Sequence, residues 1–271
     1  MHSVVMLLTA MLLVSSTMPG DDPDPLALAR TSMEANHANG LKASQYAYRE
    51  YKVQRDLDTN GKETGRNTQT WDVIGLEGST YRKLIMRNDK PLPAKEQKRE
   101  DERLRKETEL RRKETPEERR NRTFSFSYSL SFPYQKLADM YDLRYAGEET
   151  VDGIPASVIE GTPKPGYQAT SSNEREALNY KVKLWLAKPD CNMARMELEV
   201  VGDHSRMQKG TNVRFESARH DDGVWLTSLI TFRFTAKFFK MLNARGEMTM
   251  TFSDYHKFQV DSRMVDTGQD R

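Results

Sequence analysis

A chain of 271 residues with 37% hydrophobic content is long enough for one sizeable sheet-based domain with its own core. Charge is abundant at 30% yet balanced, 42 basic against 40 acidic residues for a formal net of +2, which excludes the strong basic field of a nucleic-acid binder. The lone Cys191 excludes an internal disulfide and lies far from any zinc-type partner.

The first twenty residues contain no Asp, Glu, Lys or Arg, and Val4 to Val14 form an apolar run of signal-peptide length, too short for a membrane span. Small residues Ser15, Ser16 and Thr17 follow, then Pro19-Gly20 and the acidic Asp21-Asp22-Pro23-Asp24-Pro25. The pattern predicts export: residues 1–20 as a signal peptide cleaved between Ser16 and Asp21, and 21–271 as a single domain, soluble in the periplasm. An uncleaved membrane anchor is the alternative, because the usual basic segment before the apolar run is missing. No cysteine follows that run closely enough to form a lipid-attachment box.

Leu26 to Asn36 has helical spacing with Gly40 as its stop. Ser44 to Asp56, the turn Asp58-Thr59-Asn60-Gly61 and Thr64 to Leu76 predict a hairpin. Glu77-Gly78-Ser79 then turns the chain into Thr80 to Arg87, a third strand that Pro91 and Pro93 end.

Residues 94–122 differ in kind, with 12 basic and 9 acidic side chains and scarcely an apolar one beyond Leu104 and Leu110. Opposite charges recur at i,i+4 (Asp101 and Arg105, Glu102 and Lys106, Glu107 and Arg111, Glu109 and Lys113), which favours a solvated helix. The expectation is a protruding charged helix, with a docking arm for the envelope membrane surface or a protein partner as the alternative. Thr115-Pro116-Glu117-Glu118 has the form of a helix cap.

In Phe124 to Phe132 five large apolar residues, Phe124, Phe126, Tyr128, Leu130 and Phe132, alternate with serines. They make either an amphipathic strand on the core or a lid over a hydrophobic cavity. Pro133 to Met140 is a short helix that brings Leu137 and Met140 onto the sheet.

From Tyr141 the chain is a meander. Val151-Asp152-Gly153-Ile154 carries the Asp-Gly pair that a type I′ hairpin turn needs, and Thr162 to Leu178 is a polar loop. Strands follow at 179–187, 194–201, 211–219, 224–235 and 247–258. Taking the apolar register in each puts Val182, Leu184, Leu186, Met196, Leu198, Val213, Phe215, Leu226, Ile230, Phe232, Phe234, Met248, Met250 and Phe252 on one concave face. Lys181, Lys183, Glu197, Glu199, Arg214 and Arg233 fall on the other, towards water. The methionines suit a pocket that re-packs around chains of varying shape, so this set is the candidate lipid-binding surface; a dry core under helices is the plainer alternative.

No catalytic motif stands out. Asp203-His204-Ser205 contains triad residue types, but adjacent residues project in different directions, and His220-Asp221-Asp222 has the composition of a turn. There is no His-Glu-x-x-His, phosphate loop or nucleophile elbow, so neither enzymatic activity nor a metal or cofactor is expected.

The succession Gly153 to Glu160, Lys183 to Lys188, Ala194 to Val200, Asp222 to Leu226 and Phe252 to Phe258 resembles the LolA/LolB-like superfamily of outer-membrane lipoprotein-sorting carriers. The resemblance covers the last half of the chain and, more loosely, the first hairpin. It implies a mainly β fold: a curved antiparallel sheet forming an unclosed β-barrel, short helices lidding the concave side, here with one long charged helix inserted. It also implies carriage of a lipid or of the acyl chains of a lipoprotein. A non-enzymatic protein-protein interaction module, like the envelope-stress regulators that share the fold, is the alternative.

Overall fold

The computed structural model describes residues 22–118, 132–202, 208–238 and 242–258. Four of the five predicted lid residues, Phe124, Phe126, Tyr128 and Leu130, lie outside the described residues, as do the signal segment and Asp203-His204-Ser205.

Asp24 opens α1 (Pro25–Ala43), its carboxylate accepting from the Leu26 amide at 3.0 Å, with Pro25 in the first turn where its missing N–H costs nothing. The helix does not stop at Gly40 as expected but runs three residues further. A mid-helix glycine costs about 1 kcal/mol relative to alanine, and the docking of α1 on the sheet offsets this. Asn39 accepts from the Trp225 amide and donates to the Trp225 carbonyl, each at 2.8 Å. Asn36 accepts from the Met193 amide at 3.3 Å.

The first meander comprises β1 (Tyr46–Leu57), β2 (Glu63–Leu76), β3 (Ser79–Arg87) and the two-residue β4 (Lys90–Pro91). After α2 (Ala94–Arg112) and a 3-10 turn (Tyr134–Lys136) comes α3 (Leu137–Met140). The second meander is β5 (Tyr141–Val151), β6 (Ile154–Pro163), β7 (Tyr180–Ala187), β8 (Met193–Val200), β9 (Asn212–Arg219), β10 (Trp225–Phe238) and β11 (Leu242–Lys257). A short helix, α4 (Ser172–Ala177), interrupts the loop before β7. The Asp152-Gly153 turn has φ of 48° and 80°, the left-handed pair that a type I′ hairpin requires.

All pairings are antiparallel and form one 11-stranded sheet in the order β4-β3-β2-β1-β11-β10-β9-β8-β7-β6-β5. The last strand thus pairs with the first and welds the two meanders together. The two ends of the sheet, β4-β3 and β5, do not pair with each other, so the barrel is unclosed. The main core lies between β6–β10 and the helices, where Ala29 of α1 and Leu137 and Met140 of α3 are buried against Ile159, Val182, Leu184, Met196, Leu198, Phe215 and Ile230. Phe132, the one described member of the predicted lid, belongs to this core.

The expectation of a protruding charged helix is corrected. α2 lies along the open edge of β3 and spends its charges there. Arg103 Nη2 donates to the Arg82 carbonyl at 2.8 Å, and Glu100 accepts from the Leu84 amide at 3.3 Å. Arg111, itself buried, donates to the carbonyls of Leu76 at 3.0 Å and Thr80 at 3.2 Å. The backbone groups of Thr80, Arg82 and Leu84 alternate along one edge of the strand, so α2 supplies side chains where a neighbouring strand would supply backbone. Of the predicted pairs, Glu107 and Arg111 meet at 2.7 Å, whereas Asp101 reaches instead to Lys83 on β3 at 2.7 Å. The cap after α2 forms as a reciprocal box: Glu118 N donates to Thr115 Oγ1 at 3.2 Å and Thr115 N donates to Glu118 Oε2 at 2.8 Å.

Candidate functional site: a sheet face that changes from apolar to polar

The strand registers align side chains into rows that cross the whole sheet. One row reads Tyr145, Ile159, Leu184, Met196, Phe215, Ile230 and Met250 from β5 to β11, then Lys52 on β1 and Gln69 on β2. The row beside it runs Leu143, Gly161, Val182, Leu198, Val213, Phe232 and Met248, then Gln54 and Asn67. Both are apolar over seven strands and polar over the next two. The junction of β11 with β1 is therefore a chemical boundary as well as a topological one.

The opposite face carries alternating charge. Arg144, Glu160, Lys183, Glu197 and Arg214 follow one another across β5 to β9, and Arg233 meets Glu247 at 2.8 Å across β10 and β11. Like charges are kept apart and opposite ones placed side by side, which suits a solvated face. Two grooves of about 440 and 550 Å3 are bordered by several of these charged residues together with uncharged ones. Of the predicted lipid-binding residues, Leu198, Val213, Phe232 and Met248 border the first and Val182 the second.

The structure divides the predicted set into four environments. Val182, Leu184, Leu186, Met196, Leu198, Phe215 and Ile230 are buried in the main core, with Val213, Met250 and Phe252 partly buried at its margin. Leu226 packs apart from them, with Tyr46 and Val224. A bulge between Thr227 and Leu229 separates it from the regular rows. Phe232, Phe234 and Met248 are half-buried and, among the described residues, belong to no packed cluster. Their rings are organised nonetheless: Phe232 and Phe234 stack at 5.4 Å between centroids, and the Phe234 ring lies over Gly246, where an added Cβ would come within 2.7 Å of it. Among the described residues, the part of the apolar face left out of those clusters is this strip on β10 and β11.

Beside the strip lies a group that the sequence pattern did not single out. Glu50, opposite Phe252 and buried, accepts from Arg82 Nη2 at 2.6 Å. The Arg82 guanidinium sits 4.4 Å from the centroid of the Trp71 ring, and the Lys52 ammonium 5.5 Å from it. Tyr48 closes the group against Phe252 and Tyr255, with centroids at 5.8 and 5.1 Å, and burial pushes its hydroxyl pKa up to about 12. Alternation along β1 alone does not single out Lys52. Val53, on the other face of β1, is itself buried, and only the register against β11 places Lys52 with Met250.

A second polar cluster fastens the β9–β10 turn to the ends of β1 and β11. Asp222 accepts from the Tyr46 hydroxyl and pairs with Lys257 at 2.5 Å, and its carboxyl is held well below the usual range by Lys257 first and Tyr46 next. His220 lies 3.6 Å from the same carboxylate. The histidine and its acids thus serve turn chemistry here. Among the described residues no three His, Cys, Asp or Glu side chains are grouped to hold a metal, and no helix is long and apolar enough to cross a membrane.

No protein-family model and no curated protein matches the chain. Solved structures do match over nearly their whole length. One, described as an outer membrane lipoprotein-sorting protein domain from Vibrio parahaemolyticus, is 14% identical with a TM-score of 0.40, covering 88% of this chain and 96% of that one. A LolA superfamily protein from Nitrosomonas europaea is 11% identical with a TM-score of 0.34, covering 87% and 94%. The MucA/MucB complex of Pseudomonas aeruginosa matches at 13% identity and a TM-score of 0.25, covering 84% and 94%.

Proposed function

We propose that this chain is an exported envelope protein that carries or binds a lipid, or the acyl chains of a lipoprotein, against the half-exposed end of its apolar face. One observation carries the reading: Phe232 and Met248 continue a buried row in register and Phe234 stacks on Phe232, yet among the described residues all three lie outside the packed clusters. Covering such a strip with hydrocarbon gains about 0.8 kcal/mol per buried CH2, and the unbranched methionines adapt to chains of different shape. The role is binding rather than catalysis, and the apolar run before residue 21 directs the chain to the periplasm.

Native mass spectrometry of the mature protein from its own envelope, with extraction and analysis of co-purifying lipid, tests the reading. Near-stoichiometric lipid that is lost on Phe232→Glu with Phe234→Glu, in a protein that stays folded, supports it. A clean apo mass that resists loading with lipids or acylated peptides overturns it.

A protein-partner reading is favoured by one feature, the far edge of the sheet. No described strand pairs with the outer side of β5, which could accept an added strand from a partner. The charged helix, in contrast, is already engaged with β3.

A further inference from the structure

Resting on the proposed lipid-binding role, we infer that Lys52 is the headgroup site of the apolar strip, and that it selects amphiphiles carrying a single anionic group, phosphate or carboxylate, on the hydrocarbon. Three observations converge on it. Lys52 occupies the first polar position of a row that is otherwise apolar from β5 to β11, directly opposite Met250. It is half-buried, and among the described residues its ammonium makes no ion pair; its contact is the Trp71 ring. The neighbouring positions on the same face, Gln54, Gln69 and Asn67, are uncharged amides rather than carboxylates.

The charges on this face leave Lys52 uncompensated. Arg82 is neutralised by Glu50 at 2.6 Å, so the pair cancels and the cluster around Trp71 retains one positive charge. The next carboxylate along β1 on this face is Asp56, four residues away and thus about 13 Å at the rise of a strand. An ordinary lysine on a sheet face extends its stem over apolar surface and leaves its head in water. Lys52 is instead drawn over an indole that also carries Arg82, which fixes the ammonium beside the apolar strip. A hydrocarbon chain on Phe232, Met248 and Met250 would present its terminal group to the ammonium one strand away. The glutamine amides can donate to the remaining oxygens of a phosphate or carboxylate.

The test is calorimetric titration of the full mature chain, below micelle formation, with three amphiphiles of one chain length: dodecyl phosphate, dodecyl phosphocholine and dodecyl maltoside. Inorganic phosphate is titrated alone beside them. The expected result is binding of dodecyl phosphate about tenfold tighter than of the maltoside, a preference that shrinks at high salt. Lys52→Gln should abolish the preference, with an unchanged thermal melt showing that the variant is folded, and Lys52→Arg should restore it. Equal affinity for the three heads, or a preference untouched by Lys52→Gln, overturns the headgroup site and leaves the lipid-binding role standing. Inorganic phosphate binding as tightly as dodecyl phosphate would assign Lys52 to a free anion and likewise overturn it. Failure of all three amphiphiles to bind overturns both readings together.

Discussion

Lys52 of β1 stands directly opposite Met250 of β11, a cation facing a thioether at the seam where the chain's first strand pairs with its last. In the row through that pair the residues from β5 to β11 are apolar, and those on β1 and β2, Lys52 and Gln69, are polar. The buried part of the apolar side is a core; the half-buried part is the proposed binding strip, and the two should respond differently to mutation.

Leu184→Ala removes a fully buried side chain from the row that ends at Lys52 and Gln69 and should cost about 2–5 kcal/mol. Phe232→Ala and Phe234→Ala should cost less in stability and more in lipid retention. Denaturant unfolding measured beside lipid loading checks the separation, and equal stability losses at the three positions would merge the strip with the core.

Gly246 and Gly161 are required for close approach rather than for turns. A Cβ at Gly246 would meet the Phe234 ring at 2.7 Å and the Arg55 carbonyl at 2.9 Å, and one at Gly161 would meet Val182 at 2.8 Å and Leu143 at 2.9 Å. Either alanine substitution should destabilise by about 1–3 kcal/mol. Gly246→Ala should in addition displace the Phe234 ring and weaken lipid binding, whereas Gly161→Ala should not. Thermal melts and a lipid-binding assay distinguish them.

Arg111→Ala should act through the sheet edge. It strips the Leu76 and Thr80 carbonyls of a buried donor, with an expected loss of about 2–4 kcal/mol, and it loosens α2 from β3. The accompanying sign is concentration-dependent association, visible by light scattering, because a bared edge strand pairs with whatever is near. Arg105→Ala, on the same helix but exposed, should do neither.

Asp222 makes stability depend on acid. Its folded-state pKa is depressed, so its contribution is complete above the ordinary carboxylate range near 4. It is then lost as pH falls towards the folded value, when the proton that Lys257 and Tyr46 exclude must be bound. Melting temperature should therefore decline more steeply below about pH 4 in the wild type than in Asp222→Asn. Lys257→Met should flatten the same part of the curve, since Lys257 is the larger cause. Identical acid profiles for all three proteins would contradict the assignment.

Strand-by-strand alternation was enough to read most of the second meander and its inward residues, because period two is local. Rows across strands were not legible, since register depends on turn geometry and bulges that a sequence does not display. Leu226 shows the failure plainly: it shares even numbering with Ile230, yet the bulge between Thr227 and Leu229 sends it to another cluster. Lys52 shows the converse, a polar residue whose place in an apolar row appears only once β1 has been set against β11. α1 outran its glycine because Asn36 and Asn39 find backbone partners more than a hundred positions away, and no window along the chain contains both halves of those contacts. α2 was legible as a helix, and its first residue was placed correctly. Its use was hidden, since the amides and carbonyls it satisfies belong to a strand edge that composition cannot expose.

Among the described residues the edge at β3 is guarded by α2 and the outer side of β5 pairs with no strand, so the sheet they form has a chain terminator at one end. Were two copies to meet through their backbones, they could do so only β5 against β5, about a twofold axis, and both outward ends of the pair would then be stopped by α2. Growth would end at two. A sheet with two bare edges can add copies head to tail without limit, whereas one end-stopped by a charged helix is self-limiting, and nineteen mostly hydrophilic residues suffice to make that difference.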